Sequence, residues 1–464
     1  MMPMKIFKIP AYILMIAALN ITSCTEKPDK TENMNWHLIT LDPGHFHAAL
    51  VQKFPLPNVD STVRVYASEG EDLEQHLRRI DAFNQRDENP THWKEEVYRG
   101  PDFLEKMTEE KAGNIVVISG NNKKKTQYIK QAIDAGFNVL ADKPMVIDEE
   151  NFSLLQEAFS SASEKKLLLY DIMTERYEIT TLLQKELSLN APLFGTLEEG
   201  TPENPSVVKE SVHHFYKYVS GSVLTRPAWF MDVKQQGEGI VDVTTHLVDL
   251  TMWASFPEKI LDYQKDVTLL GAKRWATPMT LSQFTAITKL ADFPEYLKKD
   301  ITHDTLLNVY ANGEISYKLK NIHAKVSVTW AYQAPEGTSD THYSIMRGTK
   351  ANLVIRQGAK ENYKPVLYIE LIDPADQPYQ QDFDKNVAGI MEKFPGVTFN
   401  KNEKGWEVVI PEHYKEGHEA HFSKVTEAYL DYLKKGALPE WEVPNMITKY
   451  YLTTQALKMA LQSQ

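Results

Sequence analysis

The sequence predicts an α/β chain in two parts: an N-terminal doubly wound parallel sheet, then a C-terminal α+β domain built on a large, mainly antiparallel sheet. Three observations predict it. From Trp36 onward short apolar runs alternate with amphipathic segments at the spacing of strand–helix units. Past about Tyr170 the runs lengthen and alternate in the period of a sheet with one exposed face. The chain has 464 residues, more than one core usually supports, and its 42% apolar and 10% aromatic content suffices for two cores.

Taken in order, Lys5 and Lys8 precede an apolar run at 9–19 that ends in Ile21-Thr22-Ser23-Cys24. This is the pattern of a secretory signal with a lipobox-like end, and the run is too short for a permanent membrane span. Cys24 is the only cysteine, so no internal disulfide can form, and lipidation at a mature N-terminus accounts for it. Residues 1–24 are therefore expected to be a lipoprotein signal and 25–35 a polar tether. The protein is expected to be exported and held on a membrane surface, on the periplasmic side or at the cell surface. Removing residues 1–23 takes two lysines and no acid, which moves the formal charge from −12 to −14. So acidic a body excludes nucleic acid as a partner.

Residues 37–41, 63–67, 114–119, 138–141 and 166–170 read as strands; 48–54, 71–80, 102–108, 126–135 and 149–160 read as helices. The polar stretch 81–91 reads as a long loop. These elements assign 36–172 to the first domain and 173–464 to the second, with C-terminal helices at 418–433 and 446–461. Between them, Ala311-Asn312-Gly313-Glu314 joins two strand patterns and reads as a hairpin turn. Strands 325–332 and 343–355, the latter broken at Gly348, continue the sheet. Ligands of a parallel sheet bind at the carboxyl ends of its strands, where Gly44, Glu69, Asn121 and Lys143 fall.

Two stretches carry the chemistry. Leu140-Ala141-Asp142-Lys143-Pro144-Met145 closes an apolar strand with a lysine pinned by a proline. About a hundred residues later comes Gly237-Glu238-Gly239-Ile240-Val241-Asp242-Val243-Thr244-Thr245-His246. In this order the pair resembles the Gfo/Idh/MocA family of nicotinamide-dependent sugar oxidoreductases, closely over 36–255 and loosely beyond. The resemblance implies a Rossmann-like first domain, NAD as cofactor with NADP the alternative, and a small carbohydrate substrate. It casts Lys143 as the group that binds the reacting oxygen and His246 as the base. A histidine with an ordinary pKa can take the hydroxyl proton as hydride leaves the same carbon. Asp242, four residues before His246 on a predicted helix over 241–253, would share its face and hold the substrate or orient the imidazole. Arg176, Tyr177, Arg226 and Trp229 resemble substrate-side positions of the family, Trp229 with core packing as an equal alternative.

The cofactor turn departs from the family pattern. Asp42-Pro43-Gly44-His45-Phe46-His47-Ala48-Ala49 keeps Gly44, puts Phe46 where the second glycine is expected and Ala49 at the third. His45 and His47 offer donors in compensation, and Glu69 stands where an acid would accept the adenosine ribose hydroxyls and repel a 2′-phosphate. Asn121 and Asn122 follow the next strand, and Lys125 takes the place of the family's histidine. No metal is expected: His45 and His47 lack a third ligand nearby in sequence, and the spacings of His413, His418 and His421 give no single-face set. The leading expectation is hydride transfer at a secondary hydroxyl of a sugar or glycoside, with the cofactor tightly retained outside the cytoplasm. The alternatives are a glycoside hydrolase that uses transient oxidation by NAD, and a sugar-binding lipoprotein on a degenerate fold. Self-association through residues 200–380 is left open.

Overall fold

The computed structural model describes residues 36–463, apart from Ser220, Gly221 and Asp304; the signal, Cys24 and the tether lie outside the described residues. The first sheet has six strands, β1 (Leu38–Leu41), β2 (Thr62–Ala67), β3 (Lys94–Arg99), β4 (Ile115–Ile118), β5 (Asn138–Asp142) and β6 (Leu169–Ile172). All pair in parallel, in the order β3-β2-β1-β4-β5-β6. β1, β4 and β6 are buried at every position, which is why they read as unbroken apolar runs. β3 escapes the sequence reading because Lys94, Glu95, Glu96 and Arg99 make it look like a surface segment. It is the edge strand, and charge there blocks pairing with another chain.

Helices α1 (His47–Leu50), α2 (Glu71–Gln85), α3 (Phe103–Glu110), α4 (Lys125–Ala135) and α5 (Phe152–Lys165) connect the strands. α2 runs to Gln85, so the loop expected at 81–91 is shorter than its polarity suggests. The strand order reverses between β1 and β4. A crevice therefore opens at their carboxyl ends, between the 42–47 turn and the segment after Ser119.

The second sheet has ten strands. Across it lie Val267–Thr280, Leu306–Leu319, Ile322–Gln333, β7 (Val207–Tyr216), Thr341–Arg347, Ala351–Gln357, Val366–Leu371, Gly405–Val409 and Thr398–Asn402, with Ile301–Thr302 beside Leu306–Leu319. Of these pairs only β7 with Ile322–Gln333 is parallel.

The hairpin expected at Asn312-Gly313 is absent: Leu306–Leu319 is one continuous strand. Asn312 is fully buried in it. Its amide donates to the Trp275 carbonyl and the Thr277 hydroxyl, each at 2.9 Å, and its oxygen accepts from the Trp330 amide at 2.6 Å. Gly313 is there for space, since a Cβ would sit 2.8 Å from the Ile240 Cβ. The turn signal is in fact a seat for the segment that carries Asp242 and His246.

The C-terminal helices His418–Lys435 and Glu442–Gln462 are not confined to the second sheet. Phe422, Val425, Tyr429, Leu430, Met446 and Tyr450 join the core of the first, while Leu452 and Ala456 join that of the second. Lys449 crosses the junction, fully buried, with its Nζ 2.6 Å from Asp171 and 2.9 Å from Asp249. Lys449→Met would strand two buried carboxylates. We expect it to cost about 3–5 kcal/mol of stability, read as a lower urea midpoint at unchanged slope; a loss under roughly 1 kcal/mol would refute the bridging role.

Candidate active site

Lys143 leaves the end of β5 at the mouth of the crevice. Its ammonium donates to Asp242 Oδ1 at 2.7 Å. Burial opposes the charge, but Asp242 and Asp142 outweigh it and hold the lysine pKa above its ordinary value. Asp242 has its other oxygen on the Gln236 amide at 3.0 Å. Burial works against this carboxylate too, yet Lys143 keeps its pKa below the usual range. The site thus holds a charged pair in a place that excludes most water.

Asp242 is not on the helix of His246. That helix spans Thr244–Ser255, and Asp242 lies in the turn before it. With its oxygens on Lys143 and Gln236, Asp242 orients the lysine, which corrects the expectation that it would orient the imidazole. The turn is pressed onto the second sheet: a Cβ on Gly239 would fall 1.9 Å from the Ala311 carbonyl oxygen, and Gly237 has a φ of +94°. Thr244 ties the turn to the helix start by donating its hydroxyl to the Gly239 carbonyl at 2.9 Å.

His246 is buried, and its Nδ1 has no hydrogen-bond partner. Burial, then the nearby Lys143 charge, pushes its pKa down to about 3, against the pull of Glu175. The imidazole is therefore neutral at ordinary pH. It faces a cavity of ≈ 180 Å³ that Glu175, Glu178, Ser211, His213 and His342 also line. The sequence reading missed these five. Only Glu175, next to Arg176, and the His213-His214 doublet carried any signal.

Four expected substrate residues are otherwise engaged. Arg176 donates to Asp249 through Nε and Nη2 at 2.6 and 2.7 Å and to Glu442 at 2.8 Å. Tyr177 packs against the first core. Arg226 donates to the carbonyls of Phe215 and His214 between the rings of Phe230 and Trp330. Trp229 donates to Asp72 at 2.7 Å. A buried cation already matched to carboxylates or carbonyls has no reason to exchange them for a neutral ligand.

The cofactor crevice is well formed at its two ends and tight in the middle. Glu69 is exposed just past β2. Asn122, after β4, donates to the Gln236 carbonyl at 2.7 Å and leaves a buried, unpartnered Oδ1 facing no protein donor. Asn121 donates to Gln235 and caps the turn at Lys123. Lys125 is buried rather than solvated, and donates to the Asp142 carbonyl at 3.0 Å, bracing the lysine-bearing segment. At the turn itself Pro43 has no N–H, and the amides of Gly44 and His45 both reach the Ser119 carbonyl at 3.3 Å. A Cβ on Gly44 would lie 3.2 Å from the Trp229 ring and 3.0 Å from an Asp72 oxygen. Phe46 opens α1, packs against the first core and also lines a small pocket with Gly44 and His45. Trp229 and Asp72 crowd the same turn.

Asp142 supplies the third group that His45 and His47 lack in sequence. Its Oδ2 is 2.9 Å from His47 Nδ1, 3.7 Å from His45 Nδ1 and 2.9 Å from the Ser119 hydroxyl. The three are a metal-like set, but they form a satisfied hydrogen-bonded cluster, and Lys125 and Lys143 both act on it as positive charges. Of the distal histidines, His418 lies 3.5 Å from Glu175.

Comparison with known proteins accords with this geometry. Residues 44–170 match the Gfo/Idh/MocA family, described as "Oxidoreductase family, NAD-binding Rossmann fold". Residues 183–461 match "Putative oxidoreductase C terminal domain". A crystal structure of a "putative oxidoreductase" from Parabacteroides merdae ATCC 43184 is 54% identical, with TM-score 0.91 over 93% of this chain and 98% of that one. The chain belongs to the Gfo/Idh/MocA oxidoreductases. Its first domain is an NAD-binding Rossmann fold, and it is an oxidoreductase with NAD(P) as cofactor. Levoglucosan dehydrogenase in complex with NADH and L-sorbose shares the fold at 12% identity, TM-score 0.58, over 93% and 98% of the two chains. So does biliverdin reductase with biliverdin and NADP+ from Synechocystis sp. PCC 6803, at 10% identity and TM-score 0.54 over 92% and 99%. Comparison with the curated proteins returned no match.

Asp72 makes the crevice pH-dependent. Burial pushes its carboxyl up to about 6, against the Trp229 hydrogen bond. Above that pH it is ionised, grips Trp229 and repels a diphosphate; below it both effects fade. NAD affinity measured by calorimetry is expected to rise several-fold from pH 7.5 to 5.5, and Asp72→Asn to remove most of that dependence. A pH-independent affinity in the unaltered protein would show that the Trp229 contact does not gate the crevice.

Proposed function

We propose that this protein oxidises, or in reverse reduces, a secondary hydroxyl carbon of a sugar or glycoside. The observation that carries the reading is the charged Lys143–Asp242 pair beside a neutral His246, its Nδ1 unpartnered, at the head of a cavity that Ser211, His213 and His342 also line. Lys143 donates to the reacting oxygen and favours its alkoxide form, because its charge is fixed by Asp242 and little screened by water. His246, uncharged before reaction, accepts the hydroxyl proton. Glu175, on the wall of the same cavity, offsets the charge that His246 then carries. Bound NAD(P) supplies the hydride acceptor. Asn122 Oδ1 is a ready acceptor for an amide donor of the cofactor, and Glu69 for its ribose hydroxyls, with NAD favoured over NADP because Glu69 repels a 2′-phosphate.

Polar groups on Ser211, His213 and His342 suit hydroxyl-rich ligands, and the sugar complex of the distant levoglucosan dehydrogenase supports that class. Export and anchoring through Cys24 are part of the proposal on sequence grounds. They bring with them a cofactor retained through turnover.

Lys143→Ala and His246→Ala are each expected to lower kcat about 10²–10⁴-fold; His246→Ala leaves thermal unfolding little changed, whereas Lys143→Ala, which strands the buried Asp242 carboxylate, also lowers the melting temperature. The assay is mass-spectrometric detection of ketoglycoside from a panel of methyl glycosides, after the retained nucleotide has been identified in denatured protein. Absence of any nucleotide, bound or added, together with no ketoglycoside, would overturn the reading.

A further inference from the structure

The cavity at His246 continues outward. Glu175, Glu178, Thr180 and Pro365 line it and also line a second hollow of ≈ 470 Å³ that reaches His418 and His421. The two adjoin as one cleft. Inside, Ser211, His213 and His342 set hydroxyl and imidazole groups among Val243, Leu247 and Leu250. Outside, Ile179, Pro365, Val366 and Ile410 make an aliphatic floor beside polar and charged groups that include Glu361, Lys364 and His421, and no Trp, Tyr or Phe lines it.

Charges at the outer rim are largely paired within the protein. Lys415 lies 3.1 Å from Glu412, and Glu416 is joined to Lys424. Acids outnumber lysines around the hollow, Glu175, Glu178, Glu361, Glu412 and Glu416 against Lys364 and Lys415, which disfavours an anion. A single sugar ring fills the inner chamber, which is smaller than the roughly 300–1,000 Å³ of a pocket for a whole drug-sized ligand. The outer chamber is then surplus to a monosaccharide.

We propose that the outer chamber is a second binding subsite, for an uncharged apolar aglycone, so that the substrate is an aryl or alkyl glycoside whose sugar lies at His246. This rests on the sugar reading of the inner site. An apolar occupant follows from the aliphatic floor: a flat ring or alkyl chain gains by covering it, whereas a second sugar would find no aromatic ring there to stack on.

The test compares p-nitrophenyl with methyl glycosides of glucose, galactose and mannose on the full chain, by ketoglycoside formation and by calorimetric binding. For the sugar that is accepted, the aryl glycoside is expected to have a KM about tenfold or more below the methyl glycoside. Val366→Asp, at a half-buried strand position, is expected to collapse that ratio towards one. Equal KM values, or tighter use of lactose or cellobiose than of the aryl glycosides, would overturn the aglycone assignment. Aryl glycosides that bind, more tightly than methyl glycosides, without being oxidised would overturn the sugar-oxidation reading and leave the subsite standing. No binding of any aryl glycoside would overturn the subsite.

Discussion

The site depends on a buried ionic lattice that ties three parts of the chain together. Arg176 follows β6, Asp249 lies on the helix of His246, and Lys449 and Glu442 come from the last helix; Asp171, in β6, closes the set. Tyr450 donates to the same Asp171 oxygen that Lys449 reaches, at 2.9 Å. Asp249 sits three residues beyond His246, on the same side of the helix. Fixing Asp249 therefore fixes the direction in which the imidazole points. Buried ion pairs seldom add much net stability over apolar packing, because desolvation cancels their attraction. Their contribution here is orientation: only one rotation of the Thr244–Ser255 helix satisfies Arg176 and Lys449 together.

A second constraint is the contact between the 237–243 turn and the strand beneath it. Gly239 against the Ala311 carbonyl and Gly313 against Ile240 let backbone approach backbone. This brings Asp242 to Lys143 across 99 residues of sequence. Helix and turn thus set His246 and Lys143 independently, each from a rigid element. Lys125 and Asp142 brace the Rossmann side of the same arrangement through contacts that never reach the substrate cavity.

The cofactor side obeys a different logic. The amides of Gly44 and His45 share one carbonyl, and Trp229, held by Asp72, lies against Gly44. The phosphate turn was atypical already in sequence through Phe46; tertiary structure adds Asp72 from α2 and Trp229 from the second domain to its surroundings.

Local pattern sufficed wherever a residue's role is set by its neighbours along the chain. The buried strands β1, β4 and β5, the helices between them, and the lysine and histidine motifs all announced themselves, because unbroken apolar runs and 3.6-residue spacing are local consequences of burial. The edge strand β3 and the seat at Asn312-Gly313 did not, since charge at an edge mimics a surface segment and a buried Asn-Gly mimics a turn. Likewise Arg176, Arg226 and Trp229 had the right chemistry for a substrate, yet were matched by Asp249, by backbone carbonyls and by Asp72 from 73, 11 and 157 residues away. The sequence by itself determined the fold class and the cofactor class. Tertiary structure alone decided which polar groups remain unpaired, because a side chain is free to act only when no distant partner reaches it, and distance along the chain says nothing of distance in space.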